Sequence, residues 1–309
     1  STPGGGILST VPVAKWFVRR RGVALGLASL GLGVGGIVLL PVTQLFIEVV
    51  DWRDAWLYLG IVSMVLIIPM SLLFLRRQPE DMGLRPDGDP VVIEQQSPGE
   101  QNAEEEAVWT IGEALRTRAF WMLVMAMMLG GFGMGASVHR IPYWVEKGFD
   151  ADLVAVAISA DAGGAAAMLL LVGFLLDRFP ARFVAAGAYL GFTMAVGLML
   201  VASSATEMFT STILWGLSVG INIVSQTYMW ANYFGRAFLG TIRGLTMPTI
   251  MLASAFGAPV VGYIYDNSDG YELAWQSLMA IYLLALVVML SATPPSKALD
   301  AAVSAVASD

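Results

Sequence analysis

The chain has 309 residues, 57% of them hydrophobic and 13% charged, with a mean hydropathy of +0.70. A soluble globular chain carries roughly a quarter charged residues, so this composition excludes water as the main solvent. The absence of Cys and the presence of one His exclude disulfides, thiolate metal sites and a multi-histidine metal centre, and the net charge of -7, which comes largely from one loop, identifies no partner.

Apolar runs of about twenty residues, the helix length that crosses a ~30 Å hydrocarbon core, recur along almost the whole chain. They predict an all-α polytopic membrane protein with the lipid bilayer as its main partner. The expected segments are 3 to 17, 22 to 49, 54 to 75, 119 to 143, 152 to 176, 182 to 203, 208 to 231, 240 to 265 and 273 to 292. The first is short, and Ser1 is neither an initiating Met nor part of a charged leader. Together with the odd number of spans, this predicts that further helices precede Ser1.

One set of connecting loops holds only Arg53, Arg140 and Lys147; every other Lys and Arg falls on the opposite side or in the segment ends facing it. Cytoplasmic loops retain Lys and Arg, so the richer side and the C-terminus are expected in the cytoplasm. The longest polar stretch, 78 to 117, is rich in Pro, Gly and acids and includes Glu104, Glu105 and Glu106. It reads as a solvated linker without a site.

Small residues mark two helices. Gly22, Gly26, Ser29, Gly33 and Gly36 follow one another at steps of three or four and form one stripe; Ser159, Gly163 and Ala166 do the same further on. Such stripes permit close van der Waals packing in lipid.

Polar residues inside the spans are the candidate site. Asp161, near the middle of its segment, costs about 2.5 to 3.5 kcal/mol to insert and so requires a reason, either a proton or a cationic group to bind, or hydration near the outer surface. His139, Arg140 and Tyr143 lie toward the outer end of theirs. Arg140 can fork onto a carboxylate and His139 can titrate near neutrality; the alternative is an interfacial anchor, which is the reading adopted for Arg140. Ser211, Trp215, Ser218, Asn222 and Gln226 share one helical face, where the amides are expected to bind a solute or a neighbouring helix. Gln44 is a weaker candidate.

The chain also repeats itself. "WFVRRRGVALGLASLGLGVGG" before Pro41 resembles "YFGRAFLGTIRGLTMPTIMLASAFGA" before Pro259, and "DWRDAWLYL" resembles "DGYELAWQSL". The copies have the same orientation, as in transporters built from two parallel six-helix bundles.

"GFLLDRFPAR", containing Gly173, Asp177, Arg178 and Arg182, resembles the G-x-x-x-D-R motif between helices eight and nine of the major facilitator superfamily. "KWFVRRRGVALGLASLGLGVGG", "FLRRQPEDMGLRPDG", "EALRTRAFWML" and "HRIPYW" resemble stretches of its bacterial members close to the monocarboxylate and oxalate:formate exchange families. The resemblance implies helices four to twelve of that fold. Residues 1–77 would close the first bundle, 78–117 form the central loop, 118–295 form the complete second bundle, and 296–309 form a cytoplasmic tail. Gly173, Asp177, Arg178 and Arg182 would form a cytoplasmic gate with two arrangements, and the two small stripes would lie on helices that slide during alternating access.

The expected function is secondary transport of a small organic solute, an organic anion such as a monocarboxylate, coupled to protons or to exchange, by a monomer in a bacterial inner membrane. No cofactor, metal or nucleic-acid partner is expected. An enzyme would need a paired nucleophile and base or a metal cluster, which the residue inventory lacks. A sensor on the same fold and a carrier of non-anionic solutes are the alternatives. Carboxylate carriers of these families place a basic residue inside helix eight or eleven. Here 153–176 contains no Lys or Arg, so the anion expectation rests on His139 or on residues outside the chain.

Overall fold

The computed structural model describes residues 3–50, 52–74, 76, 78–88, 109–268 and 270–295; within these, the side chains of 3–9, 32–34, 36–41, 44, 48, 52, 74 and 88 lie outside the description. The acidic run Glu104 to Glu106 falls outside the described residues.

All described secondary structure is helical. The helices are α1 (Pro3–Trp16), α2 (Arg21–Val49), α3 (Trp52–Phe74), α4 (Ile111–Arg116), α5 (Arg118–Ala136), α6 (Arg140–Glu146), α7 (Ala151–Arg178), α8 (Ala181–Val201), α9 (Ala205–Phe234), α10 (Leu239–Asn267) and α11 (Glu272–Ser291). Each of the nine apolar stretches read from the sequence is helical. Seven helical spans among the described residues are long and apolar enough to cross a membrane, with α5 and α6 counting as one, Arg118–Glu146. A short 3-10 turn, Ser137–His139, joins those two. The fourth expected segment therefore ends at Glu146 rather than at residue 143.

Local sequence chemistry starts and stops these helices. Thr110 and Glu113 form a reciprocal capping box on α4, and Ser204 and Glu207 form another on α9. The Asp150 carboxylate accepts from the backbone N–H groups of Asp152 and Leu153, covering donors that the first turn of α7 leaves open. Gly148, with φ 92°, ends the turn after α6, where a side chain would be strained.

Helices α5 and α7 to α11 pack into one bundle around fully buried Trp144, Trp230, Trp275, Tyr189, Tyr282 and Phe192. Close approach holds α5 to α10: a Cβ at Gly131 would sit 2.9 Å from the Ile250 carbonyl oxygen. Helices α1 to α3 join this bundle mainly through α2 against α7. The apolar window of α3 has no buried residue, so Leu66, Ile67, Ile68, Leu72 and Leu73 present a continuous apolar surface suited to lipid.

Candidate functional site

The centre of the second bundle holds an ion pair. Arg140, the first residue of α6, donates from Nη1 to Oδ2 of Asp161 on α7 at 2.7 Å. The arginine side chain is 5% exposed and the aspartate 17%. The 3-10 turn before Arg140 and the extra helical turn after it set the guanidinium inside the bundle, which corrects the reading of Arg140 as an interfacial anchor. Lys147, about two turns further on, stands just past the end of the span instead. Its ammonium donates to the carbonyls of Met199, Leu200 and Ala202 at 2.8 to 2.9 Å, closing the C-terminal end of α8. Burial lowers the pKa of Lys147 from the ordinary lysine value.

Aromatic rings fix the pair from one side. The Arg140 guanidinium carbon lies 4.4 Å from the centroid of the Trp215 ring on α9, a cation–π contact. Phe192 on α8 packs 4.9 Å from both Trp215 and Tyr282, centroid to centroid. From the other side, Gly216 makes room for the carboxylate: a Cβ there would sit 2.7 Å from Asp161 Oδ1. Sequence reading found Asp161, Arg140 and Trp215 separately, but Gly216 and Tyr282 escaped it. A glycine one residue after Trp215 was the available signal.

The pair is incompletely satisfied. Nε and Nη2 of Arg140 are buried without an acceptor among the described residues, and so is the hydroxyl of Tyr282. A guanidinium carries five N–H donors, and native interiors seldom leave buried donors unmatched. Chemically, this is one positive centre with a carboxylate on one N–H and a second edge still able to bind an oxyanion.

The other predicted residues lie elsewhere. His139 is half-buried, with Nε2 donating to the Ala258 carbonyl at 3.0 Å and Nδ1 within 3.3 Å of the Tyr271 hydroxyl. Both ring nitrogens are thereby engaged by α10 and the start of α11. Tyr143 is buried against Trp144, Tyr271 and Trp275. The polar face of α9 turns toward α8: Ser211 donates to the Ala195 carbonyl, and Gln226 donates to Asn222 at 2.7 Å. Asn222 and Gln226 border a cavity of about 10 Å³ beside Tyr189, too small for an organic solute. In this conformation the amides act within the bundle, away from Arg140. The side-chain surroundings of Gln44, Gly33 and Gly36 lie outside the described residues.

A second constellation occupies the arginine-rich end, the end at which the turns carrying Arg19 and Arg20, Arg178 and Arg182, and Arg236 lie. Helix α2 begins without a side-chain cap of its own. Asp177, at the end of α7, supplies one across the interface: Oδ1 accepts from Gly22 N–H at 2.8 Å and Oδ2 from Val23 N–H at 3.2 Å. The backbones touch here. A Cβ on Gly173 would lie 2.6 Å from the Gly22 carbonyl oxygen, and one on Gly26 equally close to that of Leu169. Gly163, three turns away on α7, is exposed and a Cβ there would meet nothing within 4 Å, so the expected packing stripe is in contact at one end of α7 and open at Gly163. Arg178 is exposed, and the Arg182 guanidinium lies 4.8 Å from the Phe183 ring centroid.

Comparison with known proteins matches this architecture. The chain is 26% identical over 275 residues to human "Monocarboxylate transporter 11", covering 85% of this chain and 54% of that protein. It is 24% identical over 269 residues to the "Oxalate:formate antiporter" of Oxalobacter formigenes, covering 82% and 57%. The chain thus spans a little over half the length of these curated relatives. Among solved structures, the transporter FucP in its outward conformation matches with a TM-score of 0.68 at 14% identity, over 95% of this chain and 72% of that one, a likeness of fold. The family model described as Major Facilitator Superfamily matches residues 5–257 and 141–307. The chain belongs to the Major Facilitator Superfamily.

Proposed function

We propose that the protein is a secondary transporter of a small organic anion, in which Arg140 binds the anion and Asp161 carries the coupled proton. The observation that carries this reading is the buried guanidinium with one N–H on Asp161 and two N–H groups lacking an acceptor. The relatives named for monocarboxylate and for oxalate and formate give the anion its class.

The chemistry follows from charge balance. With Asp161 ionised, the pair is neutral and Arg140 is held. A proton on Asp161 removes the carboxylate's charge, leaving the guanidinium to pair with an incoming carboxylate; the loaded site then has the same charge as the empty one. Crossing a low-dielectric interior favours such neutral states over a lone buried charge. Asp161 is the more exposed partner, so proton access precedes anion access. The Trp215 face keeps the guanidinium plane fixed while its partner changes.

Movement between access states belongs to the second constellation. The contact of α2 with α7 closes the arginine-rich end, and opening it requires Asp177 to release the two N–H groups of α2. The excess of Lys and Arg in the loops of that end supports a cytoplasmic location for it and for the C-terminus, in an inner membrane; the working unit in this proposal is a monomer. Uptake into proteoliposomes of a short carboxylate and of its neutral amide tests the proposal. Saturable carboxylate uptake that is lost in Arg140→Ala, with no saturable amide uptake, is the expected result; equal uptake of acid and amide would overturn it.

A further inference from the structure

The residues that leave α3 do not behave as a passive linker. Two short 3-10 turns, Pro79–Met82 and Pro86–Gly88, fold this stretch back along the arginine-rich end. Asp87 has φ 58°, and it is the single non-glycine residue with positive φ among the described residues. That conformation is uncommon outside glycine, and Asp is among the residues that tolerate it best.

Its side chain explains why the turn is held there. The Asp87 carboxylate accepts from the backbone N–H groups of Val18 and Arg19, at 3.0 to 3.2 Å, in the turn between α1 and α2. These donors lie in the turn between α1, which ends at Trp16, and α2, which starts at Arg21. The Trp16 indole N–H also donates to the Arg76 carbonyl at 3.2 Å, tying the exit of α3 to the same turn. The stretch is therefore fixed at both ends to α1 and α2. Between those points, Glu80 reaches the other bundle: its Oε1 lies 2.7 Å from Nη1 of Arg236, in the turn between α9 and α10. Arg236 also donates to the Lys15 carbonyl on α1 at 3.2 Å.

We infer that residues 79–88 form a clasp across the arginine-rich end, in which Glu80 grips Arg236 of the second bundle and Asp87 is the positioning residue that aims it. Separation of the two bundles at this end breaks the Glu80 to Arg236 pair while leaving Asp87 on Val18 and Arg19, since both of those partners travel with the first bundle. The clasp therefore biases the resting equilibrium toward closure at this end, and it does so without touching Arg140 or Asp161.

These 309 residues contain no Cys, and replacing any Cys elsewhere in the gene product by Ser permits a direct test. Spin labels at Arg20→Cys and Phe179→Cys, one in each bundle and both on exposed positions, report the separation of the arginine-rich end by pulsed electron resonance. The whole gene product in lipid nanodiscs, without substrate, is the sample. Glu80→Gln is expected to raise the ratio of long to short distances about threefold, as suits a partly exposed ion pair. Asp87→Asn shifts it in the same direction, and the double variant shifts it no further than Glu80→Gln alone, because one residue acts through the other. The exchange Glu80→Arg with Arg236→Glu recovers part of the original ratio, because a carboxylate at position 236 cannot donate to the Lys15 carbonyl. An unchanged distribution in Glu80→Gln, additive shifts in the double variant, or no recovery in the exchanged pair would overturn the clasp. Glu80→Gln alters only the exposed pair, so it keeps the test decisive if Asp87→Asn folds poorly. No solute enters the readout, and the anion proposal stands or falls separately.

Discussion

Two carboxylates on the same helix, Asp161 and Asp177, do different work because they meet different partners. Asp161 faces a full positive charge inside one bundle, where both side chains are largely removed from solvent. Asp177 instead accepts two backbone N–H groups at the start of a helix from the other bundle, at an exposed edge, with the charge of Arg21 nearby as a lesser influence. A buried pair is costly to break and suits a site whose charge must always be balanced. A backbone cap across an interface is cheap to break and suits a contact that must open on every cycle. Four turns of one helix separate a place for chemistry from a place for motion.

Disrupting the buried pair gives the largest expected effect. Arg140→Ala leaves Asp161 without its charge partner and should destabilise the bundle by about 3 to 5 kcal/mol, read as a drop in Tm in detergent. Adding Asp161→Ala should recover most of that stability while uptake stays absent. A double variant no more stable than Arg140→Ala would mean that the two residues are not coupled.

Changes at the interface come next. Gly173→Val forces a side chain into the Gly22 backbone and should cost about 1 to 3 kcal/mol of closure while the second bundle keeps its Tm. Spin labels at Arg20→Cys and Phe179→Cys should then report a predominantly separated end. Asp177→Asn retains one acceptor oxygen but loses the charge, so transport should slow about tenfold with little change in Tm, consistent with loss of a charge-assisted bond. A fall in Tm as large as that of Arg140→Ala would erase the distinction between the two carboxylates.

The smallest effect belongs to Gly163. A Cβ there meets open space, so Gly163→Ala should change stability by no more than about 0.5 kcal/mol and leave transport rates within twofold. A locked access state in that variant would show that the upper part of α7 also forms a contact during the cycle.

The helices were legible in the sequence because a bilayer imposes one length and one polarity on a span, and seven spans among the described residues obey it. Asp161 stood out as a charge where charges are expensive, whereas the Asp177 motif stood out through its resemblance to the family's G-x-x-x-D-R turn. Depth near a helix end was harder to read. Arg140 looked interfacial because the segment read from the sequence ends at Tyr143, whereas α6 continues to Glu146 and Lys147 follows the end of the span. Periodicity correctly put Ser211, Trp215, Ser218, Asn222 and Gln226 on one face of α9, yet it carries no information about which neighbour that face meets. The structure turns it toward α8 and Arg140 rather than toward an open cavity. The stretch 78–117 read as a solvated linker, whereas its described start, 78–88, is held in place by Asp87, whose partner Val18 lies 69 residues away in the chain, beyond any local pattern.

The most direct test of the account is the pH dependence of carboxylate counterflow in proteoliposomes, compared between the native protein and Asp161→Asn. If Asp161 carries the proton, native flux into a vesicle rises as external pH falls, and the Asn variant gives a flux independent of pH. An Asp161→Asn variant that keeps the native pH slope would contradict the central claim, because the proton would then be bound elsewhere.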